Sequence, residues 1–123
     1  MRRSLLVLLC ALILCATLPL HGKAAFSGVY SIRGTNPGVG PYTGTLTISP
    51  RGDIFDVHWN VANVQYSGVG VVVNDTLSVA YSGGNGSWMG VIGYRQKADG
   101  TLEGKWAVYG GKAQTGSETA TRK

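Results

Sequence analysis

The chain has 123 residues, of which 44% are hydrophobic, 9% aromatic and 14% charged, and its formal net charge is +5. This length corresponds to one domain, and the low charge content together with the aromatic content excludes a disordered chain. After residue 25, eight basic residues stand against six acidic ones, a net charge of only +2. A polyanion-binding surface has little electrostatic basis, so we predict no nucleic-acid partner.

The N-terminus has the three parts of a secretory signal peptide. Basic residues at Arg2 and Arg3 precede an apolar run over residues 5–18, and the small residues Ala24 and Ala25 follow a short polar stretch. The run is shorter than the roughly 20 residues that a membrane-spanning helix needs. We therefore predict a signal peptide over 1–25, a periplasmic or secreted location, and no integral membrane span after cleavage.

Both cysteines, Cys10 and Cys15, fall within the predicted signal peptide. The mature chain, 26–123, therefore contains no thiol and enters an oxidising compartment without a disulfide. It must fold as a single domain on core packing alone, which is feasible for about 98 residues.

The mature chain shows alternation with a period of two rather than a helical period. In the segment 42–49, apolar residues and threonines alternate, and a turn over 50–53 precedes a second alternating segment. Repeating this reading along the chain predicts eight strands, at about 27–33, 42–49, 54–61, 64–73, 76–82, 88–97, 101–109 and 115–122.

Short links between sequential strands predict an all-β, antiparallel up-and-down meander that closes into a small eight-stranded barrel. A two-sheet sandwich is the alternative architecture. A membrane barrel is disfavoured, because residues such as Asp56, His58 and Asn60 on the second face belong in water. Two glycine-rich stretches, 34–41 and 83–88, are predicted to be loops that cap an open end.

The mature chain holds few groups suited to catalysis. His58 is its only histidine, with Asp56 two residues before it, and no cysteine or nucleophile-elbow serine accompanies them. We interpret His58 and Asp56 as a solvated surface pair. The sequence predicts a protein that is not an enzyme, with no catalytic residue, no metal site and no cofactor.

Aromatic residues share the predicted interior face with aliphatic ones. We predict that six of them line a cup for a small apolar ligand: Tyr30, Trp59, Tyr66, Tyr81, Tyr94 and Trp106. The alternative is a filled core, which a barrel of this size accommodates completely.

Two other sites are candidates for surface contacts. Arg51-Gly52-Asp53 spells a tripeptide recognised by integrins, although the same residues suit a tight turn. Trp88 follows a flexible glycine-rich stretch and is a candidate contact residue. The candidate surface set is therefore Trp88, Arg51 and Asp53.

Two sets of residues carry a resemblance to known proteins. Gly28-Val29-Tyr30 at the first strand and Arg122-Lys123 at the last resemble the calycins, which include the lipocalins and avidins. The resemblance implies a barrel in which a basic residue from the last strand packs on an aromatic ring of the first, here Tyr30 in place of tryptophan. Phrases such as Gly34-Thr-Asn-Pro and Asp99-Gly-Thr-Leu-Glu-Gly-Lys-Trp106 are also similar to small exported bacterial proteins, some of them labelled fibronectin-binding.

These features predict an exported, non-catalytic binding protein. The first interpretation is contact with an extracellular protein or matrix partner through loops and the strand surface. The alternatives are a lipocalin-like or avidin-like carrier of a small apolar ligand, or an inhibitor of an envelope or host hydrolase. A purely structural envelope protein is a further possibility, and the sequence does not determine the oligomeric state.

Overall fold

The computed structural model describes residues 23–83 and 85–123. The predicted signal peptide therefore lies almost entirely outside the described residues. One short helix, α1 (Lys23–Phe26), precedes eight strands. The strands are β1 (Gly28–Asn36), β2 (Gly40–Arg51), β3 (Ile54–Val61), β4 (Val64–Val73), β5 (Thr76–Ser82), β6 (Met89–Gln96), β7 (Leu102–Val108) and β8 (Gly116–Arg122).

Each strand pairs antiparallel with the next along the chain, and β1 also pairs with β8, so the sheet closes into a barrel. The predicted up-and-down eight-stranded barrel is confirmed, and a two-sheet sandwich is excluded. Because β1 and β8 pair with each other, neither is left as the exposed edge strand that an open meander would have. No helix within 23–83 or 85–123 is long and apolar enough to cross a membrane.

The stretch 34–41 differs from the predicted loop. Thr35 pairs with Pro41 and Asn36 with Gly40, so β1 and β2 continue almost to the end of their hairpin. Pro41 lacks an N–H, but β2 pairs with β3 only from Gly44 onward. Proline is tolerated in a strand where no neighbour needs its N–H, and this is why the proline did not end the strand.

Short turns suit the barrel because they leave little chain between strands. The link between β3 and β4 consists of Ala62 and Asn63, both with positive φ, of 50° and 64°. Two positive φ values define the type I′ hairpin turn, whose twist matches that of the flanking strands.

One end of the barrel is closed by α1 and the residue that follows it, Ser27. The Arg122 guanidinium lies 5.1 Å from the centre of the Tyr30 ring and donates to the carbonyl oxygens of Ser27 (2.5 Å) and Ala25 (2.7 Å). Tyr30 is fully buried, and its hydroxyl donates to the Phe26 carbonyl at 2.7 Å. The contact that the calycin resemblance implies, a basic residue over Tyr30, is present and holds α1 across the barrel end.

The expected pair of His58 and Asp56 does not form. Asp56 instead accepts two hydrogen bonds from Arg51, from Nε at 2.7 Å and from Nη2 at 3.0 Å. His58 contacts Ser67 and Gln65 on the neighbouring strand β4. Residues two apart on one strand are about 7 Å apart, whereas cross-strand neighbours are closer, so each side chain bonds across the sheet.

Candidate functional site: an aromatic cup at the open end

The end opposite α1 opens into a cavity of about 510 Å³, which we call the cup. The cup opens at the end of the barrel where the chain turns from β1 to β2, from β3 to β4 and from β5 to β6. Six aromatic side chains and one acidic side chain dominate the lining, namely Tyr42, Trp59, Tyr66, Tyr81, Trp88, Trp106 and Glu118. All three tryptophans of the chain therefore line one cavity.

Four of the six predicted cup residues line this cavity: Trp59, Tyr66, Tyr81 and Trp106. The other two lie elsewhere in the barrel interior. Tyr30 is part of the closed end, beneath Arg122. Tyr94 is fully buried and contacts the cup through hydrogen bonds with Glu118 and Trp59.

The rings of the cup contact one another in tilted and edge-on arrangements. The ring centroids of Trp59 and Tyr81 lie 5.3 Å apart, and Trp88 lies 5.7 Å from Tyr66 and 5.8 Å from Tyr81. These separations lie within the favourable range for aromatic pairs. The rings therefore hold one another in place and form a preformed wall.

Trp88 is part of this wall. Besides its contacts with Tyr66 and Tyr81, its indole covers Gly83, where an added Cβ would lie 2.5 Å from the ring. Trp88 is half-buried, and its role as a surface contact residue stays a prediction. The neighbouring glycine-rich stretch suggested exposure, but Gly83 instead gives the indole room to fold back.

Inward-facing glycines make room for the rings elsewhere in the barrel as well. Gly116 is the ladder partner of Trp106, and a Cβ added at Gly116 would lie 2.0 Å from the indole. Gly90 is in the same way the partner of Tyr81, with 2.6 Å to the ring. Aromatic rings that cover glycines of a neighbouring strand are a known way of stabilising curved sheets.

Glu118 forms the polar floor of the cup and is 5% exposed. Its Oε1 accepts from the Tyr42 hydroxyl at 2.9 Å. Its Oε2 accepts from the Tyr94 hydroxyl and, at 3.3 Å, from Trp59 Nε1, which also donates to the Tyr94 oxygen at 3.0 Å. Buried carboxyl groups need such partners, because an unsatisfied polar group in the interior is costly.

Burial raises the pKa of Glu118 above its ordinary value, and hydrogen bonds from Tyr94, Tyr42 and Trp59 work against that shift. Burial, with the charge of Glu118 second, also raises the pKa of Tyr42 and raises that of Tyr81 to about 12. The tyrosines therefore remain hydrogen-bond donors over the whole neutral range.

Trp106 adds a second polar feature. Its Nε1 is buried and makes no hydrogen bond of good geometry within the described chain, although it faces the Tyr42 hydroxyl closely enough to oppose the rise in the pKa of that group. A buried N–H without an acceptor costs about 1–3 kcal/mol.

Arg51 and Asp53 lie far from the cup. They flank the link between β2 and β3 at the closed end, where both are exposed. Gly52 has a φ of 59°, which suits a glycine in a tight turn. Arg51 is already paired with Asp56, so the tripeptide has the structure of an ordinary hairpin link.

Two residues of the cup, Tyr42 and Glu118, were not among the predicted site residues. The period of two could have placed both on the inner face of the barrel, although not in the cup. Tyr42 alternates with threonines on the face of Leu46, and Glu118 lies between Gly116 and Ala120, whose small size is typical of an inward face. Within 23–83 and 85–123, no three His, Cys, Asp or Glu residues lie close enough together to hold a metal ion.

Comparison with known proteins identifies the fold only. No family model and no curated protein matches the sequence. Among solved structures, a redesigned β-barrel has a TM-score of 0.72 at 15% identity, covering 81% of this chain and 93% of that one. Another redesigned barrel, bound to DFHBI, gives 0.67 at 15% identity, covering 80% and 96%. Lipid binding protein 8 of Caenorhabditis elegans gives 0.56 at 12% identity, covering 83% and 98%.

Proposed function

We propose that the protein is a non-catalytic carrier that holds one small, largely apolar ligand in the cup. The observation that supports this proposal is the cavity itself, about 510 Å³ in volume and walled by six aromatic rings above one buried carboxyl group. Ligand sites in proteins are commonly concave, mostly apolar and of roughly 300–1,000 Å³, with few polar groups. The similarity to a barrel that binds DFHBI and to a lipid binding protein agrees with this function.

The carrier function was the alternative interpretation of the sequence, and the structure gives it more support than the first interpretation. Two observations weigh against contact through the loops. Trp88 is part of the cup wall, and Arg51 is engaged by Asp56. Export of the protein by its N-terminal segment remains part of the proposal, because a carrier with no cysteine in its mature chain suits an oxidising compartment.

Calorimetric titration of the purified protein with naphthylmethanol, a neutral aromatic probe, tests the carrier function. We expect one probe per chain. Val108→Trp places a large ring in the cup and should weaken binding at least about tenfold. Val71→Trp makes the same change on the outer face, where Val71 is 47% exposed, and should leave the affinity unchanged. Equal affinity in both variants, or no binding at all, would contradict the proposal.

A second candidate function, contact with a protein partner, is favoured by one feature of the outer surface. Val69, Ala80, Val91 and Ala107 are consecutive ladder partners across four strands, and Val69 and Val91 are 45% and 60% exposed. Contiguous exposed apolar residues are typical of interaction surfaces. Retention of the protein on immobilised fibronectin, lost in Val69→Lys/Val91→Lys but kept in Val108→Trp, would support this function.

A further inference from the structure

We propose that the ligand is a cation, namely an apolar ring system that carries a protonated amine, and that its ammonium group binds Glu118. This inference rests on the proposed carrier function and specifies the class of ligand. It depends on three features of the cup: the unequal hydrogen bonding of the two Glu118 oxygens, a lining that includes no basic residue of the described chain, and the three tryptophan rings.

The two carboxyl oxygens of Glu118 are not equally occupied. Oε2 accepts from both Tyr94 and Trp59, whereas Oε1 accepts only from Tyr42. A carboxylate oxygen has two lone-pair sites, so Oε1 keeps one acceptor position. Every group that contacts the carboxyl group is a donor, an arrangement suited to the ionised form.

Glu118 has no basic partner within the described chain, because its hydrogen bonds come only from tyrosines and a tryptophan. Among residues 23–83 and 85–123, no lysine, arginine or histidine lines the cup. A buried carboxylate without a counter-ion is costly, and a cation that binds beside it offsets that cost. An anionic ligand would meet the opposite situation, like charges close together in a low-dielectric cavity.

The aromatic rings of the cup also favour a cationic ligand. Three of the six cup rings are tryptophans, the side chain that attracts cations most strongly through its π-face. Aromatic cages of this kind recognise ammonium groups in proteins. Lys112 lies outside the cup and lines a smaller depression of about 190 Å³ that shares Trp106 and Val108 with it.

Three probes that differ only in their polar group test the inference: naphthylmethylamine, which is protonated at neutral pH, naphthylmethanol and naphthylacetate. We expect the amine to bind the full-length protein about tenfold or more tighter than the alcohol, and the acetate to bind weakest. In Glu118→Gln the ratio of the affinity for the amine to that for the alcohol should fall to about one. Val71→Trp, which changes the outer face and leaves the cup unaltered, should keep the preference for the amine.

A measurement on the unaltered protein gives an independent check, should Glu118→Gln fail to fold. Lowering the pH protonates Glu118, and the advantage of the amine over the alcohol should disappear with it. The other titratable groups that face Glu118 are Tyr42, Tyr81 and Tyr94, which stay protonated in acid; His58 is exposed on the barrel exterior.

The outcomes separate the two proposals. Equal binding of all three probes, or tightest binding of the acetate, would overturn the cationic ligand and leave the carrier function intact. Absence of binding for every probe would contradict the carrier function itself. A preference for the amine that survives in Glu118→Gln would also overturn the inference, since the cation would then bind elsewhere.

Discussion

Gly116→Ala is the substitution that tests the packing of the cup most sharply. Gly116 is the ladder partner of Trp106, and a Cβ at this position would lie 2.0 Å from Cε2 and 2.2 Å from Cζ2 of the indole. Carbon atoms in contact are normally about 3.5–4.0 Å apart. The indole must therefore move by about 1.5 Å or more, and the cavity is the space open to it.

The size of this displacement sets how much stability Gly116→Ala should lose. Adding one methyl group to a packed interior costs about 1–3 kcal/mol, because side chains leave their preferred rotamers. We expect Gly116→Ala to lower the free energy of unfolding by that amount. For a domain of this size, each kcal/mol shifts Tm by about 4–8 °C. The displaced indole should also narrow the cup and weaken probe binding.

Urea unfolding followed by circular dichroism measures the change, with Gly93→Ala as the matched control. A Cβ at Gly93 would have only one neighbour within 4 Å, Thr76 Cγ2 at 3.8 Å. Alanine is about 0.5–1 kcal/mol better than glycine within a strand, so Gly93→Ala should be neutral or stabilising. If Gly116→Ala were as stable as Gly93→Ala, the close packing of Trp106 on Gly116 would be refuted.

Three further predictions concern the buried network and the closed end. Tyr94→Phe removes a donor to Glu118 and the acceptor of Trp59, and should cost about 1–3 kcal/mol in urea unfolding; no loss would mean that the network does not stabilise the fold. Burial raises the pKa of Glu118 in the folded protein above its ordinary value of 4.5. The protonated carboxyl group therefore stabilises the fold fully below pH 4.5, and this stabilisation is lost as the pH rises through the folded pKa. The stability of the protein relative to Glu118→Gln should therefore fall across that range, and a rise would contradict the burial argument. Arg122→Met should lower Tm by several degrees through loss of the contacts with Tyr30 and α1, as thermal unfolding would reveal, whereas an unchanged Tm would exclude this role.

The sequence was sufficient to predict the barrel because its strands alternate cleanly. Strands β3, β4 and β5 lie at 54–61, 64–73 and 76–82, as the alternation and turns predict. The error at 34–41 has a local cause. Glycine and proline are read as turn residues. The effect of Pro41 depends on whether a neighbouring strand needs the N–H that proline lacks, and only the pairing of β2 with β3 decides that.

The site was predictable only in part, because a period of two assigns a residue to a face but not to a height along the barrel. Tyr30 and Trp106 share the inner face, yet Tyr30 is in the closed end and Trp106 in the cup. The position of Glu118 required knowing which strand closes the barrel. Its partners Tyr42 and Trp59 are 76 and 59 residues away in the sequence, and only the closure of β8 onto β1 brings them together.

The central claim, that the cup holds the ligand, is tested most directly by nitrogen–proton correlation spectra during titration with naphthylmethylamine. The chain has three tryptophans, Trp59, Trp88 and Trp106, and all of them line the cup. Their three indole N–H signals should shift together and reach saturation at one probe per chain, while backbone signals of the outer-face residues Val71 and Val91 stay in place. Saturable shifts at the outer valines with unmoved indole signals would contradict the account, because the probe would then bind outside the barrel.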